Sequence, residues 1–196
     1  MEKSLTIQSY LNSDLVRQKF NEVLGKGSNN FVMSLLGLIN ANEQLKKCDP
    51  KTVLNAAMIA ATLDLPINPN LGFAYIIPYK ENAQFQLGYK GFIQLAVRSG
   101  QFETINVTNV KEGEIIGHDL LTGELAFSWK TENREKLKTI GYVSYFRMRN
   151  GFSKMLYMTN AELQAHGLRY SQTMKKGYGL WVDDFDAMAS KTVLKL

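Results

Sequence analysis

Residues 88–99 combine cations with a spacing that suits phosphate binding. Lys90, Gln94 and Arg98 recur every four residues, so on a helix they form one polar stripe among apolar neighbours. Neither cation has an acidic residue three or four positions away to neutralise it. Gly88 and Gly91 would leave bare backbone amides at the start of this helix, where phosphate is favoured. The alternative is a solvent-facing stripe whose glycines serve close packing, and the spacing alone leaves both open.

The stretch around Asn150-Gly151 offers a second cationic surface. The Asn-Gly pair predicts a β-hairpin with a two-residue type I′ turn, which would place Arg147 directly opposite Lys154. Like charges at opposed positions destabilise a hairpin unless an anion lies between them, and neighbouring aromatic rings can stack bases. The alternative is that both cations extend into water at an exposed tip. The predicted face comprises Tyr145, Arg147, Arg149, Phe152, Lys154 and Leu156.

Further cations lie near the end of the chain. Lys191 and Lys195 are four residues apart, a like-charge pair with no acid at helical spacing to neutralise it. The stretch MKKGYGLW at 174–181 places two lysines beside Tyr178, whereas Trp181 follows the apolar period and is predicted to be a core residue rather than a base-stacking platform. The cations of this region that we assign to binding are Lys175, Lys176 and Lys191.

The acidic run DDFD at 183–186 admits a rival chemistry. Asp183 and Asp186 would share one face of a continuous helix and, with Asp184, could hold the divalent metal of a nuclease. The helix macrodipole also explains acids in a first helical turn, and we favour that explanation. The sequence GKGS at 25–28 lacks the upstream glycine of a phosphate-binding loop, and two histidines with one cysteine make a poor zinc site. These observations disfavour an ATP-driven motor and predict a protein that is not an enzyme.

Charge is unevenly distributed along the chain. The net charge is +5 over 196 residues, yet residues 130–176 contain ten Lys or Arg against three Glu. A basic excess confined to one region indicates a surface that faces a polyanion, although solvated surface charge is the simpler alternative. The N-terminus lacks a signal-peptide pattern, no apolar run reaches membrane-spanning length, and a lone cysteine suits a reducing compartment. We therefore expect a cytoplasmic protein with no membrane contact.

The elements that must position these side chains predict an α+β fold in one domain, residues 1–196. The order is N-terminal helices through the first 65 residues, a β-hairpin, a central helix, an antiparallel sheet and C-terminal helices. Asp49 is predicted to cap a helix that has Pro50 at its first position. The last helix runs to Leu196 with no stop signal, so we expect the natural protein to continue. The predicted segments are 14–24, 31–46, 50–65, 73–88 (hairpin), 88–99, 103–110, 124–129, the Asn-Gly hairpin and 180–196.

Three stretches make the sequence similar to a known family. They are LGFAYIIPY at 71–79, QFQLGYKGFIQLAVRSGQ at 84–101, and a tryptophan followed by DFDAMASKTVLK at 181–195. Together they resemble the RecT/Redβ family of phage and prophage single-strand annealing proteins, closest to the RecT branch, over roughly residues 54–196. The resemblance implies an annealing core of that type, with the C-terminal partner-binding region of the family absent from this sequence.

The resemblance also implies an activity. Proteins of this family anneal complementary single strands without ATP in homologous recombination, and they assemble into rings or helical filaments. The implied partners are single-stranded DNA, the annealed duplex intermediate, further copies of the chain, a partner exonuclease and the host single-strand-binding protein. No cofactor is expected, and Mg²⁺ would at most modulate the activity without a dedicated site. The residues predicted to contact nucleic acid are Lys90, Arg98, Arg147, Arg149, Lys154, Lys175, Lys176, Lys191, Tyr79, Phe85, Gln86, Tyr89 and Tyr178.

Two rival functions stay open at this point. A metal-dependent nuclease would work through Asp183, Asp184 and Asp186. A passive coating protein would protect single strands without pairing them. The annealing hypothesis depends on cations that lack acidic partners because their counter-ion is a DNA backbone.

Overall fold

A computed structural model describes residues 7–196, which form two compact units. The first unit ends at Arg98, and the second runs from Ser99 to Leu196. The architecture is α+β with antiparallel sheets, as predicted. The part of the predicted N-terminal helical region at residues 1–6 lies outside the described residues. The contacts within the chain divide it into these two units. That residues 1–196 act as a single annealing domain stays a prediction about function.

Helices build most of the N-terminal unit. Helix α5 begins as predicted, because the Asp49 side chain accepts a hydrogen bond from the Lys51 N–H and Pro50 occupies the first turn. The helix predicted at 31–46 is instead broken, since Asn42 leaves helical geometry and caps a separate short helix. None of the helices within residues 7–196 is both long and apolar enough to cross a bilayer. The helices are α1 (Ile7–Leu11), α2 (Asp14–Leu24), α3 (Ser28–Asn40), α4 (Glu43–Lys46), α5 (Pro50–Thr62) and α6 (Tyr89–Ser99).

These helices share one apolar core with a β-hairpin. Strands β1 (Ala74–Tyr79) and β2 (Asn82–Leu87) pair antiparallel, which confirms the predicted hairpin. Cys48 lies in this core, where its Sγ contacts the Gln44 carbonyl at 3.4 Å, and burial raises the pKa of its thiol. The fully buried side chains include Leu11, Phe20, Leu35, Ile39, Leu45 and Val53.

Helix α6 approaches the backbone before β1 so closely that only glycine fits. A Cβ at Gly88 would overlap the carbonyl oxygen of Gly72, and one at Gly91 would overlap the carbonyl oxygen of Phe73. The Gly88 N–H already donates to the Phe73 carbonyl at 2.9 Å. Of the two explanations left open by the sequence, close packing therefore accounts for these glycines.

The C-terminal unit is built on a three-stranded antiparallel sheet. Strands β3 (Phe102–Lys111), β6 (Thr139–Met148) and β7 (Ser153–Thr159) lie in the order β3-β6-β7. The strand predicted at 124–129 belongs instead to a separate two-stranded sheet of β4 (Ile115–His118) and β5 (Leu125–Phe127). Helices α7 (Asn160–Tyr170), α8 (Gln172–Lys175), α9 (Leu180–Asp183) and α10 (Phe185–Lys195) follow.

One face of the three-stranded sheet packs against these C-terminal helices. Tyr142 projects from β6 into a core with Leu163, Trp181 and Val193. Its hydroxyl donates to the Asp186 carboxylate, and burial, reinforced by that carboxylate, raises the pKa of the phenol. The other face, which we call the outer face, carries Thr104, Asn106, Thr108, Val143, Tyr145, Arg147 and Met155.

The β6–β7 hairpin forms at Asn150-Gly151 with a different loop from the one predicted. The Gly151 N–H donates to the Met148 carbonyl at 3.0 Å, and the Met148 N–H donates to the Phe152 carbonyl at 2.7 Å. The loop therefore has three residues, with Gly151 at a φ of 89° as the bulge position. The predicted two-residue turn is wrong.

The extra loop residue changes which side chains face each other. Arg147 pairs with Ser153, while Lys154 pairs with Phe146. Because side chains alternate along a strand, Arg147 and Lys154 lie on opposite faces of the sheet. The prediction that these two cations lie directly opposite each other is therefore wrong. The prediction that they share one face of the hairpin is wrong as well.

The C-terminal helix is also interrupted. Asp184 leaves helical geometry, and its side chain accepts from the Ala187 N–H at 3.0 Å, so it ends α9 and caps α10. Asp183 and Asp186 consequently do not share the face of one continuous helix, contrary to prediction. Capping explains Asp184 better than the general macrodipole effect, because a specific donor is satisfied.

A buried carboxylate organises the segment between β3 and β6. The side chain of Glu114 is fully buried and bonds the Arg134 Nε at 2.6 Å and Nη2 at 3.0 Å. It also accepts from the backbone N–H groups of Lys111 and Lys130. The Arg134 hydrogen bonds are the largest cause that lowers the pKa of Glu114 from 4.5 to about 2.

We predict that Glu114→Gln lowers the free energy of unfolding at neutral pH by about 3 kcal/mol, because the charged network is lost at nearly constant side-chain volume. A carboxyl with a depressed pKa contributes stability above its ordinary value and loses it as pH falls from 4.5 to about 2. The difference from wild type should therefore shrink across that interval in urea unfolding followed by circular dichroism. Glu112→Gln, at an exposed neighbour, is the matched control. A difference independent of pH would contradict this assignment.

Candidate nucleic-acid interface

The β1–β2 hairpin presents an exposed face that contains two of the predicted contacts. Tyr79 is 62% exposed, and Gln86 lies on the same side of the hairpin, four residue pairs further along. Phe85 lies on the opposite side, opposite Ile76, and packs against the N-terminal core. Of these three candidates, only Tyr79 and Gln86 therefore face solvent. The face that we call the hairpin face comprises Tyr75, Ile77, Tyr79, Asn82, Gln84 and Gln86.

Helix α6 places Lys90 at the surface beside this hairpin. Tyr89 is half-buried, whereas Lys90 is exposed and its aliphatic stem passes the Gly72 turn. Lys90 makes no ion pair or hydrogen bond with any residue of the described chain. Its ammonium is therefore accessible to an external anion, and its role in DNA binding stays a prediction.

Arg98 has a different environment from the one expected. Its Nη1 bonds the Asp64 Oδ2 at 3.0 Å and the Asp64 carbonyl at 3.1 Å, and its Nη2 bonds the Leu63 carbonyl. These acceptors lie at the C-terminal end of α5, where the last carbonyls lack helical partners. The premise that Arg98 lacks an acidic partner is wrong, because Asp64 supplies one from 34 residues away. Its role in DNA binding remains only a prediction.

The β6–β7 tip holds three exposed cations in different settings. Arg147 donates from Nε to the Tyr145 hydroxyl at 3.2 Å and lies 3.7 Å from a Glu103 oxygen. The hydrogen bond with Arg147 lowers the pKa of Tyr145. Arg149 uses its backbone N–H to bind the Gln101 carbonyl and leaves its guanidinium exposed. Lys154 is exposed on the side of the sheet opposite Arg147, so the two cannot form one phosphate clamp.

The α8–α9 connection brings further predicted contacts to the surface. Lys175 ends α8 and Lys176 follows it; both are exposed, and Tyr178 comes next but one at 54% exposure. Gly177 adopts a positive φ of 79°, which turns the chain between the lysines and Tyr178. Trp181 is only 7% exposed, which confirms its prediction as a core residue.

Lys191 is the least solvated of the candidate cations. Burial, with a smaller contribution from Lys195, lowers the pKa of its ammonium. Its Nζ lies 3.9 Å from the Met188 Sδ, and it forms no salt bridge with a carboxylate of residues 7–196. A half-buried ammonium in this state is stabilised by any anion that reaches it.

Two of the three acids of the nuclease alternative form hydrogen bonds within the fold. Asp184 caps α10, and Asp186 accepts the Tyr142 hydroxyl. Among the described residues, no group of three or more His, Cys, Asp or Glu side chains is placed to hold a metal ion.

Sequence reasoning missed the outer face of the C-terminal sheet. A cavity of about 240 Å³ lies there, and its lining includes Trp129, Phe127 and Asn106. The sequence does indicate a polar strand face here, because polar residues alternate with apolar ones at Thr104, Asn106 and Thr108. The position of Trp129 beside that strand could not be predicted from the sequence, because it depends on the tertiary hydrogen bonds of Glu114.

The model of the RecT family matches residues 29–196 of this chain. The chain belongs to the RecT family. The match covers residues 29–98 of the first unit and all of the second unit, and it includes every cation and aromatic residue named in this subsection. It begins in α3, whereas the resemblance over roughly residues 54–196 begins within α5.

This RecT family member is similar in sequence to two curated proteins. It is 47% identical over 194 residues, 99% of its length, to an uncharacterized protein, YqaK, of Bacillus subtilis (strain 168). It is 28% identical over 159 residues, 77% of its length, to protein RecT of Escherichia coli (strain K12). The chain spans 66% of the length of the first relative and 58% of the second.

We predict that Arg98→Ala and Lys90→Ala differ in their effect on stability. Arg98→Ala removes the bonds to the end of α5 and should lower the free energy of unfolding by about 1–2 kcal/mol. Lys90→Ala removes an exposed side chain with no described partner and should change it by less than about 0.5 kcal/mol. Urea unfolding of both variants checks this, and equal losses would refute the anchoring role of Arg98.

Proposed function

We propose that this chain binds single-stranded DNA and anneals complementary strands without ATP during homologous recombination. The observation that carries the proposal is the RecT family match over residues 29–196, which spans both units. The geometry supports it by leaving exposed cations without carboxylate partners on elements that also expose aromatic and amide side chains. The protein acts as a binding protein rather than an enzyme, and as a homo-oligomer in ring or filament form.

Backbone recognition is the mode of binding that these residues favour. Ammonium or guanidinium groups face solvent at Lys90, Arg149, Lys154, Lys175 and Lys176. Cations of this kind neutralise phosphates and carry no base-sequence information. Binding is therefore expected to be sequence-independent and strongly dependent on salt.

The energetics of annealing require no nucleotide fuel. Base stacking in a duplex releases about 1.4 kcal/mol per step, so pairing of complementary strands is downhill. The barrier lies in the repulsion between two polyanions and in self-pairing within each strand. A protein that holds a strand by its phosphates reduces both, while the base edges stay accessible to a second strand.

Lys191 contributes through its low solvation. Its ammonium has already lost part of its hydration, so a phosphate oxygen gains an electrostatic partner at a smaller additional desolvation cost. Such a phosphate would raise the pKa of Lys191 back towards its ordinary value.

The partners proposed for this activity are those of a recombination pathway. They are single-stranded DNA, the annealed duplex intermediate, further copies of the chain, a partner exonuclease and the host single-strand-binding protein. No cofactor is proposed, and Mg²⁺ is proposed only to modulate the activity.

We expect the protein to accelerate duplex formation between complementary oligonucleotides in the absence of ATP. Stopped-flow fluorescence with a donor on one strand and a quencher on the other measures the rate. A coating protein would slow pairing, and a nuclease would shorten labelled DNA when Mg²⁺ is added. Either result would reject annealing as the function.

We also expect Lys90→Gln to weaken binding to single strands of any sequence by a similar factor. The loss of one phosphate contact should reduce the slope of log affinity against log salt by about 0.7. Fluorescence anisotropy at several salt concentrations measures both quantities. Lys19→Gln is the matched control, because Lys19 is exposed in the same unit and lies outside the family match. An unchanged slope would remove Lys90 from the interface.

A further inference from the structure

The cavity on the outer face of the C-terminal sheet has a flat apolar wall and a mixed floor. Phe127 and Trp129 stack with ring centroids 4.6 Å apart and planes 8° from parallel, and they form the wall. Val143, Tyr145 and Met155 contribute the apolar part of the floor, and the cavity volume is about 240 Å³. This is below the roughly 300–1,000 Å³ of pockets for drug-sized ligands and suits a smaller flat ring.

Trp129 is held in place although it is 46% exposed. The backbone on either side of it is fixed, because the Ser128 N–H donates to the Glu114 carbonyl and the Lys130 N–H donates to the Glu114 carboxylate. The Arg134 guanidinium lies 5.7 Å from the centre of the Trp129 ring. An exposed ring that is fixed before binding loses little conformational freedom when a ligand arrives.

The floor also offers unused polar groups. Thr104 and Asn106 are exposed, and their side chains make no hydrogen bond with any residue in the described part of the chain. An amide and a hydroxyl on alternate positions of one strand can donate to and accept from the edge of a heterocyclic ring. A purely apolar partner would displace water from these groups without replacing its hydrogen bonds, whereas a heterocyclic ring would replace them.

A cation lies at the edge of the same cavity. Arg147 bonds the hydroxyl of Tyr145, a floor residue, and its side chain is 52% exposed. The Glu103 carboxylate lies 3.7 Å from the Arg147 Nε, whereas the two Nη groups make no hydrogen bond within residues 7–196 and can contact another anion. An aromatic wall, free edge-binding groups and a cation at the rim together complement a nucleotide.

We propose that this cavity binds one nucleobase of a single DNA strand, with Trp129 and Phe127 contacting the base and Arg147 the adjacent phosphate. The proposal rests on the single-strand binding proposed above. It adds a contact that requires a base to be present, whichever base it is. Thr104 and Asn106 bind the edge of the base. The contact tolerates different bases, because every base offers an apolar ring to the aromatic wall.

Intrinsic fluorescence tests this without any substitution. The sequence contains two tryptophans, and Trp181 is buried in the C-terminal core, so a surface ligand alters chiefly the emission of Trp129. Titration with oligothymidylate should quench the emission, whereas an abasic strand of equal length should bind with little quenching. Equal quenching by both strands, or binding of oligothymidylate without quenching, would overturn the nucleobase assignment.

Variants measure the size of the contact. Trp129→Ala should weaken binding to oligothymidylate by about 5- to 100-fold and binding to the abasic strand by less than about twofold. Asn106→Ala, which removes no described contact, should show a smaller loss with the same base dependence. Tyr170→Ala is the control, since Tyr170 is an exposed aromatic residue of the same unit outside this cavity.

The outcomes separate the two proposals. If wild-type protein binds and anneals DNA while Trp129→Ala and Asn106→Ala behave like wild type, the nucleobase cavity is rejected and the proposed function stands. Equal losses on both strands likewise reject the cavity, since they indicate a backbone contact. If the wild-type protein neither binds oligothymidylate nor anneals, both proposals fail.

Discussion

The burial of the Glu114 carboxylate constrains the C-terminal unit more than any other polar interaction described. A buried charge is tolerated only when donors surround it, and here one guanidinium and two backbone N–H groups do so. Those donors come from Lys111 at the end of β3, and from Lys130 and Arg134 before β6. The same interaction therefore holds the end of β3 against the segment that precedes β6. It also positions Trp129 over the outer face.

The N-terminal unit depends on a constraint of another kind. Two glycines allow α6 to approach the turn before β1 at backbone contact, and Arg98 ties the far end of the same helix to α5. With both ends fixed, Lys90 emerges at a defined position beside the hairpin face. The two cations of the polar stripe thus serve different purposes: Arg98 stabilises the unit, while Lys90 remains available to a ligand.

Local signals in the sequence predicted those features that depend on local chemistry. Asp49 and Pro50 marked the start of α5, the apolar period placed Trp181 in the core, and the β1–β2 hairpin followed from alternation. The hairpin register was wrong because an Asn-Gly pair also fits a three-residue loop with a bulge glycine. Asp64 as the partner of Arg98 was not predictable, since helical spacing reveals only acids within one turn. The same limit concealed the tertiary network that brings Trp129 to β3.

Cys48 has a practical consequence for work on this protein. It is the single cysteine of the sequence, it is 3% exposed, and burial raises the pKa of its thiol, so little reactive thiolate reaches solvent at neutral pH. Maleimide dyes and thiol-reactive spin labels should accordingly react very slowly with the native Cys48 side chain. A cysteine introduced at any exposed position would then be modified selectively, with no need to replace the native one first.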